Sequence, residues 1–320
     1  MTRFPRTTII LALAVTFAAG ALRADIALAA GRDLAGKNLA GADLHGADLR
    51  GARLDGAVLT GANLAGADLR GASLKGADLR EAYLREVSAK GADFSGAHLG
   101  GADLTRADLR EANFESANLT RAILDSARLD GARLRAAFLP GARLIKANLS
   151  GADLASAMLA AADLTQATLH GASLKNANLG AVGLGDPAPK GARLTGADLS
   201  GADLTGANLM SVSLREANLN GATLTGARLG HADLTWARAR AADFTGASLA
   251  WVRAYGADFR GSRFVGANLS SAQFTGADLT DADLGKAKLS GTDFSQANLT
   301  GADVAGAEIE QLLLGAARGV

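Results

Sequence analysis

The sequence contains no cysteine in 320 residues, only four prolines, and only two tryptophans and two tyrosines. Without cysteine the chain can form neither a disulfide nor a thiolate metal site, and it cannot carry the lipid of a lipoprotein. No charge of one sign dominates, since 33 Lys and Arg stand against 32 Asp and Glu. Aromatic residues make up 4 % of the chain and glycine occupies 40 positions. This composition is unusual for a globular enzyme.

The sequence is instead a five-residue repeat that keeps its register from Leu34 to Ile309. The unit is Ala-Asp/Asn-Leu-X-Gly, and of its 56 central positions 43 are Leu and seven are Phe. A period of five matches neither a helix nor a straight strand. The Ala and Leu of one unit are two residues apart and face the same side of a strand, whereas the next Ala follows after three, so a corner falls inside each unit. The repeat therefore predicts one solenoid that turns every five residues.

The pattern resembles the pentapeptide-repeat family, whose unit is A-(D/N)-L-X-X, and the resemblance covers residues 32–309. It implies an all-β fold, a right-handed quadrilateral β-helix with four units in each coil. Residues twenty apart would then be stacked, and 56 units would make about 14 coils. We expect this solenoid to span residues 30–309, between a leader and a cap.

The leader, residues 1–29, has the features of a signal peptide. Two basic residues precede an apolar run at 9–21, and Ala27-Leu28-Ala29 forms a small-X-small cleavage site. The run is short for a membrane-spanning helix. We therefore expect a bacterial protein that is periplasmic or secreted and has no stable membrane span after cleavage, with an uncleaved anchor as the alternative.

The C-terminal segment predicts a short helix. Ile309, Leu312, Leu313 and Ala316 would share one side of a helix at 308–317, so that residues 310–320 form a cap over the last coil. A cap is needed because the end of a solenoid leaves backbone groups unpaired. The family resemblance implies that the same apolar surface forms a homodimer.

One interruption of composition stands out at 182–190. Pro187 and Pro189 fall in the two inward columns, where proline cannot donate a backbone hydrogen bond. The favoured interpretation is a surface loop or a break in the solenoid at 185–190. The alternative is a recognition loop that includes Asp186, Pro187 and Pro189.

Three central positions carry Ala in place of Leu, at Ala89, Ala239 and Ala254, and we expect them to thin the core. Three aromatic residues lie close in sequence to the last two, namely Trp236, Trp251 and Tyr255. The favoured interpretation is that they pack over the thinned wall. An exposed aromatic patch is the alternative.

A spacing of twenty also predicts a charged surface. It brings Arg50, Arg70, Lys90 and Arg110 into one column, with Asp48, Asp68 and Asp108 beside them. The favoured interpretation is a solvated face that neutralises itself. The alternative is a basic stripe for an anionic polymer or another partner. Phe138 and Met158 would lie one coil apart, with Val58 on the same face, and the favoured interpretation is isolated exposed residues. A protein contact is the alternative.

Catalysis finds no support, because a rod displays its carboxylates in parallel columns and not in a pocket. The four histidines fall on different columns, so we expect no metal and no cofactor. The sequence predicts a non-enzymatic scaffold that binds an unknown protein or polysaccharide in the cell envelope. The alternative is a DNA-mimicking protein that binds topoisomerases, as the best-known family members do. Removing residues 1–29 leaves a formal charge of −1, and this balance disfavours both a DNA mimic and nucleic-acid binding.

Overall fold

Each pentapeptide contributes one strand position to a stack of coils in a computed structural model, which describes residues 31–181 and 191–319. The residue before each central Leu or Phe forms a parallel bridge to the residue twenty positions later, as Asp33 does with Arg53. Four pentapeptides therefore make one coil. No helix occurs in these two ranges, and none of the described residues forms a helix able to cross a membrane.

The bridges run along four columns, which we name faces 1 to 4. Face 1 extends from Asp33 to Asp303, face 2 from Asn38 to Glu308, face 3 from Asp43 to Leu313, and face 4 from Asp48 to Arg318. Neighbouring coils share backbone hydrogen bonds along every face. Leu34, for example, donates its amide to the carbonyl of Arg53 at 2.7 Å.

The corners form because of the residues on either side of the central position. The carboxylate of Asp43 accepts the amide of His45 at 3.2 Å, and the same bond recurs where Asp or Asn precedes the centre. Gly46 then adopts a φ of 64°, which glycine reaches without steric strain. Asp and Asn therefore stabilise the corners by bonding to the backbone two residues further on.

The core is a continuous ladder of Ala against Leu or Phe, and its members from Leu49 to Ala297 are almost completely buried. The core stays closed to solvent at the three positions where Ala replaces the central Leu. Each Ala centre is itself buried and is followed five residues later by a buried Phe, in the pairs Ala89 and Phe94, Ala239 and Phe244, and Ala254 and Phe259. The rings of Phe94 and Phe114, one coil apart, stack with centroids 4.8 Å apart.

The ladder continues across the proline-containing interruption. Asp163 bridges Arg193 and Asn178 bridges Asn208, so the interval is thirty residues there and twenty elsewhere. The coils on the two sides are therefore stacked directly on one another. The predicted loop at 185–190, with Asp186, Pro187 and Pro189, lies outside the described residues.

The predicted C-terminal helix is wrong. Three further bridges extend the ladder through this segment, linking Lys288 to Glu308, Asp293 to Leu313, and Asn298 to Arg318. The apolar spacing fits both structures, because Ala307, Leu312 and Ala317 also continue the inward five-residue column. Pairing with the previous coil supplies backbone hydrogen bonds, whereas an isolated helix of about ten residues is marginal in water.

Candidate interaction surfaces

The basic column predicted from the sequence exists on face 4. Asp48, Asp68, Ser88 and Asp108 bridge one another in successive coils, which brings Arg50, Arg70, Lys90 and Arg110 to equivalent positions two residues further on. Their side chains reach solvent, with exposed fractions from 32 % to 55 %. The column is thus a continuous and accessible surface feature.

Each of these four cations has an acidic partner. Arg50 donates two parallel hydrogen bonds to the Asp48 carboxylate, from Nε to Oδ1 at 2.8 Å and from Nη2 to Oδ2 at 2.6 Å. Arg70 and Arg110 donate to Asp68 and Asp108 in the same way. The Lys90 Nζ atom lies 3.1 Å from Glu111 Oε1. These hydrogen bonds lower the pKa of the Asp48 carboxyl to about 2 and also lower the pKa values of Asp68 and Asp108.

The forked pairs follow from local geometry. In an Asp-X-Arg sequence the two charged residues are two positions apart on an extended strand, so their side chains point to the same side. The guanidinium can therefore bind the carboxylate of its own pentapeptide. Asp78 and Arg80 on face 2 repeat the arrangement, and the Arg80 hydrogen bonds lower the pKa of Asp78 to about 2. Face 4 therefore displays ordered charge with little net excess.

The sequence interpretation missed two further members of the basic column. Arg240 and Arg260 occupy the same position on face 4 in two later coils, where both contact Asp258 at 2.7 Å. Counting by twenty through the whole chain assigns them to the opposite face. The thirty-residue interval at the interruption is what returns them to face 4.

The three aromatic residues near the Ala centres are exposed, as the alternative interpretation of an exposed aromatic patch predicts. The exposed fractions are 61 % for Trp236, 59 % for Trp251 and 36 % for Tyr255. Tyr255 follows the centre of a face 3 pentapeptide, and the two tryptophans occupy the corners that border this face. Tyr83, 56 % exposed, is also on face 3. All four Trp and Tyr residues of the chain thus lie on or beside one face.

Two shallow grooves open on this side of the rod. A groove of about 470 Å³ lies at the corner of faces 2 and 3, where Gly100 and Gly101 leave space between Arg80 and Arg121. A second, of about 460 Å³, lies beside Tyr83, Arg85 and Asp103 on face 3. Within the described ranges, no three His, Asp or Glu side chains are grouped closely enough to hold a metal ion.

Face 2 carries an apolar pair. Phe138 and Met158 bridge each other in successive coils, as the spacing predicts, with Val58 further along the same column. Both are exposed by slightly more than a third.

The geometry defines a class of protein, a parallel β-helix solenoid that displays side chains in straight columns on four faces. The family model for pentapeptide repeats matches residues 29–125, 127–181 and 190–311 in overlapping segments. The chain therefore belongs to the pentapeptide-repeat family, whose members fold as right-handed β-helices. No curated protein shows significant similarity to it.

Several solved structures match this chain. HetL, a pentapeptide repeat protein involved in heterocyst differentiation regulation in the cyanobacterium Nostoc sp. strain PCC 7120, is 32 % identical, with 80 % of this chain and 88 % of HetL covered and a TM-score of 0.23. A pentapeptide repeat protein from the Arabidopsis thaliana thylakoid lumen is 34 % identical over 31 % of this chain and 61 % of its own, with a TM-score of 0.27. The plasmid-mediated fluoroquinolone resistance protein QnrB1 is 17 % identical over 58 % of this chain and 86 % of its own, with a TM-score of 0.27.

Proposed function

We propose that the protein is a non-enzymatic scaffold that binds a protein or polysaccharide partner in the bacterial cell envelope. The observation that carries this proposal is the basic column of face 4, Arg50, Arg70, Lys90 and Arg110, held in register by the coil spacing and continued by Arg240 and Arg260. A rigid row of accessible charges suits an extended partner. It offers no enclosed site in which catalytic groups could converge on a substrate.

Affinity capture from envelope extracts tests this proposal. The test variant changes Arg50, Arg70, Lys90 and Arg110 to Ser. The matched control changes Arg53, Arg133, Arg135 and Arg263 on face 1 to Ser, which alters the net charge equally. We expect the control to recover the partner and the face 4 variant to lose it. Equal recovery by both variants would eliminate the basic column as the binding surface.

Two features support a localisation outside the cytoplasm. Residues 1–29 have the pattern of a cleaved signal peptide, and the chain has no cysteine, which suits an oxidising compartment. These leader residues lie outside the described part of the structure. The alternative function, DNA mimicry, needs a dense anionic surface. On face 4 the acidic residues alternate with arginines, so the charge pattern favours the scaffold.

We further propose that the protein forms a homodimer through its C-terminal end. The last coil leaves three central side chains open to solvent, namely Val304, Ile309 and Leu314, which are 44 %, 51 % and 36 % exposed. In the preceding coils the equivalent positions are buried. A second copy stacked on this end would cover apolar surface and unpaired backbone together.

A further inference from the structure

The aromatic patch of face 3, which comprises Trp236, Trp251 and Tyr255, is not explained by folding. Trp236 and Trp251 occupy corner positions with φ values of 60° and 61°. Among the 25 described residues other than glycine with this left-handed backbone, all the rest are polar or alanine. A bulky residue is strained there, and exposures near 60 % mean that burial does not compensate. Large apolar side chains that lie exposed at these corners, where the fold does not require them, are a sign of function.

The indole of Trp236 is held as a flat platform. A Cβ atom added to Gly256 would lie 2.2 Å from Cζ3 and 2.5 and 2.7 Å from its ring neighbours Cε3 and Cη2. A short contact to one ring atom, with nearly equal contacts to the atoms on both sides, places the ring face against the Gly256 backbone. One face of the indole therefore packs on the next coil. The other face is open to solvent.

The second indole has a fixed direction as well. The rings of Trp251 and His231 are parallel within 8°, with centroids 6.2 Å apart, along the corner of faces 2 and 3. The patch thus presents indoles at both edges of face 3, supported by the coil and not enclosed by it.

Polar groups lie between the two edges. The Asp233 carboxylate forms ion pairs with Arg215 and Arg253, each at 3.3 Å. The Tyr255 hydroxyl donates a hydrogen bond to the amide oxygen of Gln273. Face 3, between the two indoles, therefore displays carboxylate, guanidinium, amide and hydroxyl groups. This density of charge differs from the centre of a typical protein–protein interface, which is depleted of charged residues.

We propose that this patch binds a glycan chain, with a pyranose ring stacked on Trp236 and sugar hydroxyls hydrogen-bonded by the Arg253 and Gln273 side chains. A pyranose has an apolar face of C–H bonds and a polar rim, which matches a flat ring bordered by polar groups. The flat face lets an extended chain cross successive coils, spaced about 4.8 Å apart. This inference rests on the proposed scaffold function and gives the scaffold a glycan-binding surface on face 3, separate from the basic column of face 4.

Intrinsic fluorescence reads the patch directly, because Trp236 and Trp251 are the only tryptophans in the chain. The full chain is titrated with soluble β-1,4-linked N-acetylglucosamine oligomers and sedimented with protein-free peptidoglycan sacculi. We expect a saturable change of tryptophan emission and co-sedimentation. The variant Trp236→Ala should bind sacculi about tenfold more weakly, the factor expected for one lost aromatic contact.

A pair of glycine variants separates the role of the ring from that of the backbone. Gly256→Ala places a methyl group where the Trp236 ring lies and must displace it. Gly276→Ala is the matched control, because Gly276 occupies the same corner one coil later with a φ of +69° and has nothing within 4 Å of the new methyl. We expect glycan binding to fall only in the first variant.

Three results would overturn the proposal: no emission change with oligomers and no sedimentation with sacculi, equal binding by the two glycine variants, or unchanged binding by Trp236→Ala. A protein captured through the patch while sacculi fail to bind also rejects the glycan. The face 4 variant keeps the tests distinct. If the face 4 capture experiment fails and the tryptophan titration succeeds, only the basic column is rejected. If capture succeeds and the titration fails, only the glycan proposal is rejected.

Discussion

The backbone amide of Ala192 donates to the carbonyl oxygen of Leu179 at 2.8 Å. Elsewhere this corner bond joins residues three apart, as between Ala47 and Leu44 at 3.1 Å. Leu179 and Ala192 therefore form an ordinary corner of the coil, although thirteen positions separate them in the sequence.

Deleting residues 182–191 should leave the solenoid folded. The deletion joins Ala181 to Ala192 and restores the three-residue corner without shifting the register. We expect stability to be unchanged or to rise by roughly 1–2 kcal/mol, because the loop-closure entropy is removed. Chemical denaturation followed by circular dichroism checks this, and Ala181→Gly in the deleted chain should add stability if the residue becomes a left-handed corner. A lowered midpoint or a non-cooperative transition would contradict the prediction.

The buried Ala and Phe residues should be energetically coupled. Phe259 follows Ala239 by one coil on face 4, and its ring lies 5.8 Å from that of Phe244 in an edge-to-face arrangement. Ala239→Leu should therefore overpack the core and cost about 1–3 kcal/mol. Combining it with Phe244→Leu should recover part of that loss, measured as a double-mutant cycle in urea. Strictly additive costs would show that the two residues do not compete for space.

Acid should weaken the forked Asp–Arg pairs. Hydrogen bonds from Arg80 lower the pKa of Asp78 from 3.8 to about 2, and those from Arg50 do the same for Asp48. A carboxyl with a lowered folded-state pKa stabilises the fold above its unfolded pKa, and this contribution is lost as the pH falls from about 4 to about 2. The effect should be small, because the arginines are more than half exposed.

The measurement is the thermal midpoint between pH 6 and pH 2 for the parent chain and for the double variant Asp48→Asn and Asp78→Asn. The variant should have the lower midpoint at pH 6 and a flatter decline with acid. Identical slopes would mean that these pairs do not contribute to stability.

The leader should be absent from the exported protein. Cell fractionation followed by N-terminal sequencing is expected to find the chain in the periplasm or medium, beginning near Ala30, because Ala27-Leu28-Ala29 fits a signal peptidase site. A cytosolic chain that still begins at Met1 would contradict export and favour the DNA-mimic alternative.

The C-terminal end should control self-association. Ile309→Glu places a charge on the open end of the last coil and should convert a dimer to a monomer in size-exclusion chromatography with light scattering. Phe138→Glu on face 2 is the control, since it adds the same charge to a partly exposed side position and should leave the dimer intact. A parent chain that is monomeric at high concentration would refute the proposed dimer.

Much of the fold could be predicted, because each pentapeptide encodes its own corner. The Ala and Leu columns, the bonding of Asp and Asn, and the adjacency of Arg50 and Arg70 all follow from local spacing. The C-terminal segment could not be assigned in this way. Its apolar spacing suits a helix as well as a coil, and pairing with the preceding coil decided between them.

The sequence by itself determined the solenoid, its inward columns and the alignment of neighbours within each half, since these depend on contacts one coil apart. Only the tertiary structure decided which faces the two halves share. Tyr83 and Arg253 both lie on face 3, whereas an unbroken count by twenty puts them on opposite sides. The ten additional residues between Asp163 and Arg193 change the phase by two faces of four. A five-residue register records no such change, because ten is a multiple of five and the inward columns stay in step.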